Sequence, residues 1–231
     1  MKIALCFAGQ FRNVKVTYDG WMYPNVIKPN EHLQLDIFAH GWFDKNVVGD
    51  VYATSTGVPG SNEVPENIIE LVYDLYDPKS VRLEKQLHFD IPEEKFLERK
   101  YPQVKPQYST SRMYSTHQVY NDVENSNITY DLIAITRWDW IMFSEVLFEN
   151  YTDGSIWHAG MNPHGLNVGF VCGTPTVMKT YMNLFNVQEE VFDTGVPYCD
   201  EFLAEKNIQL AEIPIKSMNI RNSIHRGWKI G

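Results

Sequence analysis

The chain is short of cations. Its Lys and Arg number 20 against 29 Asp and Glu, a formal charge of −9. A broad basic field is therefore missing, and nucleic-acid binding through one is excluded. An acidic ligand must be met by a few placed Arg or Lys residues, or by a divalent cation. Cysteine is also scarce. Cys6, Cys172 and Cys199 are 3 in number, lie in or beside apolar runs and fit no zinc spacing. They are expected to be buried reduced thiols in a reducing, cytoplasmic compartment (the host cytoplasm if the chain is viral). No apolar run reaches the length of a membrane span. The opening run, Met1 to Gly9, is too short for a secretory segment and passes straight into Gln10-Phe11-Arg12-Asn13 without a cleavage signature. Without secretion, the acceptor triplets Asn127-Ile128-Thr129 and Asn150-Tyr151-Thr152 carry no glycan. There is no internal repeat and no low-complexity segment.

What is present is an ordinary globular composition, 44% hydrophobic and 21% charged over 231 residues. That suits one large domain with a sizeable core. The most informative stretch is Tyr130 to Trp140. Its apolar run, Leu132 to Ile135, is short and β-branched, as befits a strand buried on both faces. It ends in Arg137-Trp138-Asp139. In an open α/β sheet the chemistry lies beyond the carboxyl ends of the strands, so Arg137 and Asp139 are delivered to that edge. A carboxylate there can serve a metal or phosphate site; a plain ion pair is the competing reading.

The rest of the chain alternates strand and helix patterns. Lys2 to Ala8 is the first strand, and Gly9-Gln10-Phe11-Arg12 the turn into a helix carrying Val14, Tyr18, Trp21 and Met22, which Pro24 should stop. Such a turn offers backbone N–H groups to an anion, and Arg12 would add a bidentate fork. A solvated Arg in an ordinary turn is the commoner outcome. Leu35 to His40 is the second strand; Asp50 to Asn62 is a loop; Pro65 opens a helix through Ile68, Val72, Leu75 and Tyr76. Ser80 to Leu83 is a short strand, and Glu84 to Pro106 an exposed connection. Tyr108 to Glu124 is a helix with Met113, Tyr120 and Val123 inward, and with Arg112 and Tyr114 placed to face the ligand edge. Ser155 to His158 and Val168 to Gly173 are strands; Gly169 hints at a close approach by backbone or ligand. Thr174-Pro175 starts a helix whose buried face runs to Phe185. Asp200 and Glu201 open another, where the helix dipole alone is a sufficient reason for acids. Ile208 to Ile215 and Lys216 to Ile220 look like strands, before a basic tail containing His225.

These blocks together carry a family likeness. Met1 to Asn13, Asp36-Ile-Phe-Ala-His40 and Tyr130 to Asp139, followed by Gly169 to Gly173 and Asp200 to Leu203, resemble small GT-A fold glycosyltransferases of large DNA viruses and bacterial surface-polysaccharide clusters. The resemblance touches nearly the whole chain in patches. It implies a single α/β domain of GT-A type, with a mixed, mainly parallel sheet flanked by helices. The nucleotide-binding half would span about residues 1–140 and the acceptor half about 141–231. It implies a UDP- or GDP-sugar donor, a glycan or glycoprotein acceptor, and Mn²⁺ or Mg²⁺. Gly9, Gln10, Arg12, Arg112 and Arg137 would hold the nucleotide. The family's Asp-x-Asp element falls on Arg137-Trp138-Asp139, leaving Asp139 as the metal ligand. The family's late histidine falls on His225, and its catalytic carboxylate on Asp200 or Glu201. Asn167 stands where relatives often carry an acid.

Glycosyl transfer makes two demands. Charge building on the departing diphosphate must be neutralised, and inversion needs a carboxylate to take the acceptor's proton. Arg12, Asp139 with its metal and the basic tail would answer the first; Asp200, then Glu201 or Asp153, the second. Trp42, Trp138 and Trp157 could stack on sugar or base, although each is more often core. A sugar-phosphate nucleotidyltransferase is one alternative, but Gly9 to Arg12 is a lean loop for that chemistry. A catalytically inactive carbohydrate-binding module on the same fold is the other, suggested by Arg137 in place of the first acid.

Overall fold

The N-terminal apolar run forms the middle of the molecule. In the computed structural model, which describes residues 1–44, 64–91, 106–160 and 165–224, strand β1 (Lys2–Gln10) pairs on one side with β2 (Gln34–Trp42) and on the other with β4 (Leu132–Thr136). Period-2 alternation splits its side chains between two cores. Ile3, Leu5 and Phe7 face one, and the smaller Ala4, Cys6 and Ala8 face the other. The small set lets the long helix α3 (Pro106–Asn125) lie close, with Met113, Val119, Tyr120 and Val123 against the sheet.

The seven-stranded sheet has the order β3-β2-β1-β4-β7-β6-β8. Here β3 is Ser80–Glu84, β6 is Ile156–Ala159, β7 is Phe170–Gly173 and β8 is Ile215–Met218. Only β7 is reversed, antiparallel to both β4 and β6; β6 and β8 are parallel to each other. This is an α/β architecture with a mixed, mostly parallel sheet between helices. One face carries α3, α4 (Pro175–Met182), α5 (Leu184–Asp193) and α6 (Asp200–Leu210). The other carries α1 (Val14–Thr17), the π-helix Tyr18–Ile27 and α2 (Ile68–Tyr76). A two-stranded ribbon joins β5 (Trp140–Met142) to β9 (Asn222–Ile224). No helix among the described residues is long and apolar enough to cross a membrane.

Several local expectations need correction. Pro24 does not stop the first helical segment, which continues around it as a π-helix. A proline ring collides with the carbonyl four residues back in an α-helix, and the extra residue per π turn moves that carbonyl away. Thr174 occupies the N-cap of α4 without a side-chain cap bond, so Pro175 and the Met178 N–H to Thr174 carbonyl bond (3.0 Å) make that start. The chain breaks at Asn183, and Leu184 and Phe185 belong to a separate helix. Ile208 to Leu210 is the end of α6 rather than a strand, because Leu203, Ala204 and Ile208 share a buried helical face. Gly169 lies just before β7, and its close neighbour is a side chain: an added Cβ would meet the Trp140 indole at 2.2 Å. The expected 50–62 loop, most of the 84–106 connection and the basic tail beyond Ile224 lie outside the described residues.

Candidate active site

Strands β1 and β4 end side by side, and the order of connection reverses between them, since β1 leads away to β2 while β3 crosses back to β4. Such a switch point opens a crevice at the strand ends. The residues that follow both strands meet there. Gly9 (φ +112°) bends the end of β1. The Arg12 guanidinium donates to Gln10 Oε1 and its backbone N–H to the Gln10 carbonyl (2.9 Å). Phe11 turns inward and fills the space above Gly41, where a Cβ would sit 2.0 Å from its ring. The helix that follows has four residues, and Asn13 before it is left-handed (φ 52°). An anion here is therefore met by the Arg12 side chain rather than by a helix dipole.

After β4, alternation sends Arg137 and Asp139 one way and Trp138 the other. Trp138 is fully buried among Phe7, Phe11 and Tyr76, stacked on Phe7 with ring centres 4.6 Å apart. Arg137 donates through Nε and Nη2 to the two oxygens of Asp139, both at 2.7 Å. Arg12 Nη1 approaches Asp139 Oδ2 at 3.9 Å. The Asp139 side chain is 3% exposed, against 15% and 23% for Arg12 and Arg137. One sealed carboxylate thus braces two arginines whose side chains are less completely covered than it is.

A second group adjoins the first. Arg112 on α3 donates to the Val168 carbonyl and pairs with Asp200 at 3.1 Å. Ser109, one turn earlier, donates to Asp200 Oδ1 (3.1 Å) and accepts from the Asp200 N–H (3.3 Å). The buried Cys199 thiol donates to Glu201 Oε2. The loop before β7 closes over this point, with the Leu166 N–H on the Glu201 carbonyl (3.2 Å) and Thr136 Oγ1 on the Gly169 carbonyl (3.1 Å). A narrow cleft, about 250 Å³ with the solvent at its mouth, runs beside Arg112 and Asp200 and is walled by Met113, Val168, Tyr181 and Leu184.

Charge ties the two groups together. Burial works against the Arg137 charge, but Asp139, then Asp200 and Glu201, outweigh it, so its pKa is raised. Burial, then the neighbouring Asp200 charge, pushes the Glu201 carboxyl up to about 7, with Arg112 and the Cys199 thiol pulling the other way. Burial, then Asp200 and Glu201, raises the Cys199 thiol, so it stays protonated near neutrality. Asp200 is held by two residues of α3, Ser109 and Arg112; Glu201 is the group here that exchanges a proton near neutral pH.

Gln10, Arg12, Arg137 and Asp139 thus form one group and Arg112, Asp200 and Glu201 the other, while Gly9 shapes the turn. His225 lies outside the described residues; the last described ladder pair, Ile224 opposite Trp140, is one residue from Asp139. Tyr114 turns to Glu84 (2.8 Å). Asp153 is not part of the site. It precedes β6, at the opposite edge of the sheet, and is held by Lys216 (2.5 Å) and the Trp157 indole N–H (3.0 Å). Trp42 and Trp138 are core residues, 4% and 0% exposed. His40 is wholly buried and bonded through Nδ1 to Ser115 Oγ at 2.9 Å, so it touches no ligand. Ser109 and Cys199 were not anticipated. Ser109 was within reach, since it precedes Arg112 by three residues and shares its helix face.

Among the described residues, the metal-ligating side chains that cluster are Cys199, Asp200 and Glu201, with ligand atoms within 4.8 Å of one another. Asp200 is already satisfied by Arg112 and Ser109. Among the described residues, no such cluster includes Asp139. No protein-family model matches the chain, and no curated protein matches it.

Proposed function

We propose that the chain is a glycosyltransferase of GT-A type that moves a sugar from a nucleotide-diphosphate donor, a UDP- or GDP-sugar, to a glycan or glycoprotein hydroxyl. One observation carries the reading: Arg12 from the end of β1 and Arg137 from the end of β4 converge on one carboxylate at the sheet's switch point, 3.9 and 2.7 Å away, beside a carboxyl raised to about 7. A mixed, mainly parallel sheet with helices on both faces supports it. The guanidinium groups meet the diphosphate as charge builds on it. Glu201, once ionised, accepts the proton of the acceptor hydroxyl. The acceptor oxygen then bonds to the anomeric carbon as the bond from that carbon to the diphosphate oxygen breaks. Arg112 and Ser109 keep Asp200 in place beside Glu201. The described residues do not suit Mn²⁺ or Mg²⁺ on Asp139: both its oxygens are taken by Arg137, a second guanidinium stands at 3.9 Å, and hard dications take six or so oxygens. The test is a panel of UDP- and GDP-sugars scored by thermal shift and by release of UDP or GDP in the presence of glycan acceptors. Glu201→Gln should bind donor and fail to transfer. Stabilisation by free glycan alone, with no nucleotide response, would reject the reading.

A further inference from the structure

We propose that Arg12 and Arg137 form a metal-independent diphosphate clamp, with Asp139 as its buried brace. The inference rests on the transferase reading and departs from what the family resemblance implies, which is a dication on Asp139. Three observations carry it. First, the Asp139 carboxylate is the least accessible of the three side chains, at 3%, so an incoming ligand reaches the guanidinium groups before the acid. Second, the Arg137 fork is bidentate, with both bonds at 2.7 Å, which fixes the plane of the guanidinium. The Nη1 amino group takes no part in that fork, and it is the natural donor to a phosphate oxygen. Third, the three groups together carry one net positive charge, where an exposed pair of acids would carry negative charge and call for a cation. With the adjoining Arg112, Asp200 and partly protonated Glu201 counted, the surroundings are close to neutral, so the directed N–H donors of the two arginines, rather than a net field, favour an anion here. Asp139 is in this account a positioning residue. It aims Arg137 and keeps two guanidinium groups from repelling one another.

The experiment is calorimetric titration of the full chain with inorganic pyrophosphate, UDP and GDP, first in EDTA and then with Mn²⁺. Binding of at least one probe in EDTA is expected, changed little by Mn²⁺. Arg137→Ala and Arg12→Ala should each weaken it about tenfold or more, the usual loss for a charge-assisted hydrogen bond. Arg137→Lys keeps the charge and loses the fork, and should fall between. It also serves if the alanine variant does not fold. Asp139→Asn should weaken binding although it removes a negative charge, a sign opposite to simple electrostatics and specific to a brace. Binding that appears only with Mn²⁺, or binding in EDTA that all four substitutions leave unchanged, overturns the clamp and leaves the transferase reading standing. No binding of any probe in either condition overturns both.

Discussion

Arg112 and Asp200 face each other at 3.1 Å, 88 residues apart in sequence, and join the middle of the molecule to the start of its last helix. Both are largely sheltered, with side chains 22% and 10% exposed. Breaking such a pair strands the more buried charge. Arg112→Ala should cost about 2–3 kcal/mol, discounted from a fully buried pair for the partial exposure of the arginine. Chemical denaturation measures it directly. Removing the arginine also takes away a cation that holds the Glu201 carboxyl down, so the Glu201 titration should move upward.

Glu201 supplies a pH dependence of stability. Its folded carboxyl titrates near 7, above the ordinary 4.5, because burial and Asp200 disfavour the charged form. The folded state therefore holds the proton more tightly than the unfolded chain. Stability from this group is fully present below about 4.5 and is lost as pH rises towards 7. Denaturation midpoints of the wild type and Glu201→Gln should diverge across that window, with the glutamine variant flatter. Cys199→Ala removes a donor to the carboxylate and should shift the window upward.

His40 acts in the opposite direction. Burial drives its pKa down to about 4, against the pull of Glu84, whose Oε2 lies 3.7 Å from Nε2. Arg82 also disfavours its charge, while Asp122 favours it. The unfolded chain binds a proton near 6.5 and the folded chain does not, so stability falls as pH drops from about 6.5 to about 4. In the Glu201→Gln background this acid limb should remain, shared with His117 and His158, whose charged forms burial also disfavours. Adding His40→Gln should make it shallower, whatever the substitution costs at neutral pH. An unchanged limb would show that another group titrates.

Gly169 has no room for a side chain, since a Cβ would lie 2.2 Å from the Trp140 ring. Gly169→Ala must push the indole aside, at about 1–3 kcal/mol for an overpacked core. Trp140 follows Asp139 directly, so the displacement should reach the clamp. Weaker pyrophosphate binding, alongside a lower denaturation midpoint, is the expected pair of results.

The parts of this architecture that could be read from residue order are those governed by local patterns. Ile3 to Phe7 and Leu132 to Ile135 are apolar at every position, which marks strands covered on both faces, and both lie at the centre of the sheet. The alternation Arg137-Trp138-Asp139 already separates the two polar groups from the indole. What could not be read depends on distance and direction. Nothing in the four residues Phe170–Gly173 says that β7 runs backwards. Ser109 and Asp200 are 91 residues apart, and neither announces the other. That Asp139 is sealed by Arg137 follows from packing at the sheet edge; the order Arg-Trp-Asp is equally compatible with an open carboxylate. Pro24 misled because a wide helical turn is rare enough that no pattern suggests it.

The reversal of β7 has an effect on how the site can vary. The chain leaves β6 and enters β7 at the same rim where β1 and β4 finish, so residues 165–169, which lead into β7, lie beside the two charged groups. This stretch bonds to Thr136, Arg112 and Glu201 through its main chain. Leu166 and Val168 are buried there, and neither Gly165 nor Gly169 has room for a Cβ, so the side chains of this stretch are as constrained as its main chain. One short segment thereby carries core packing and the main-chain contacts to the site together.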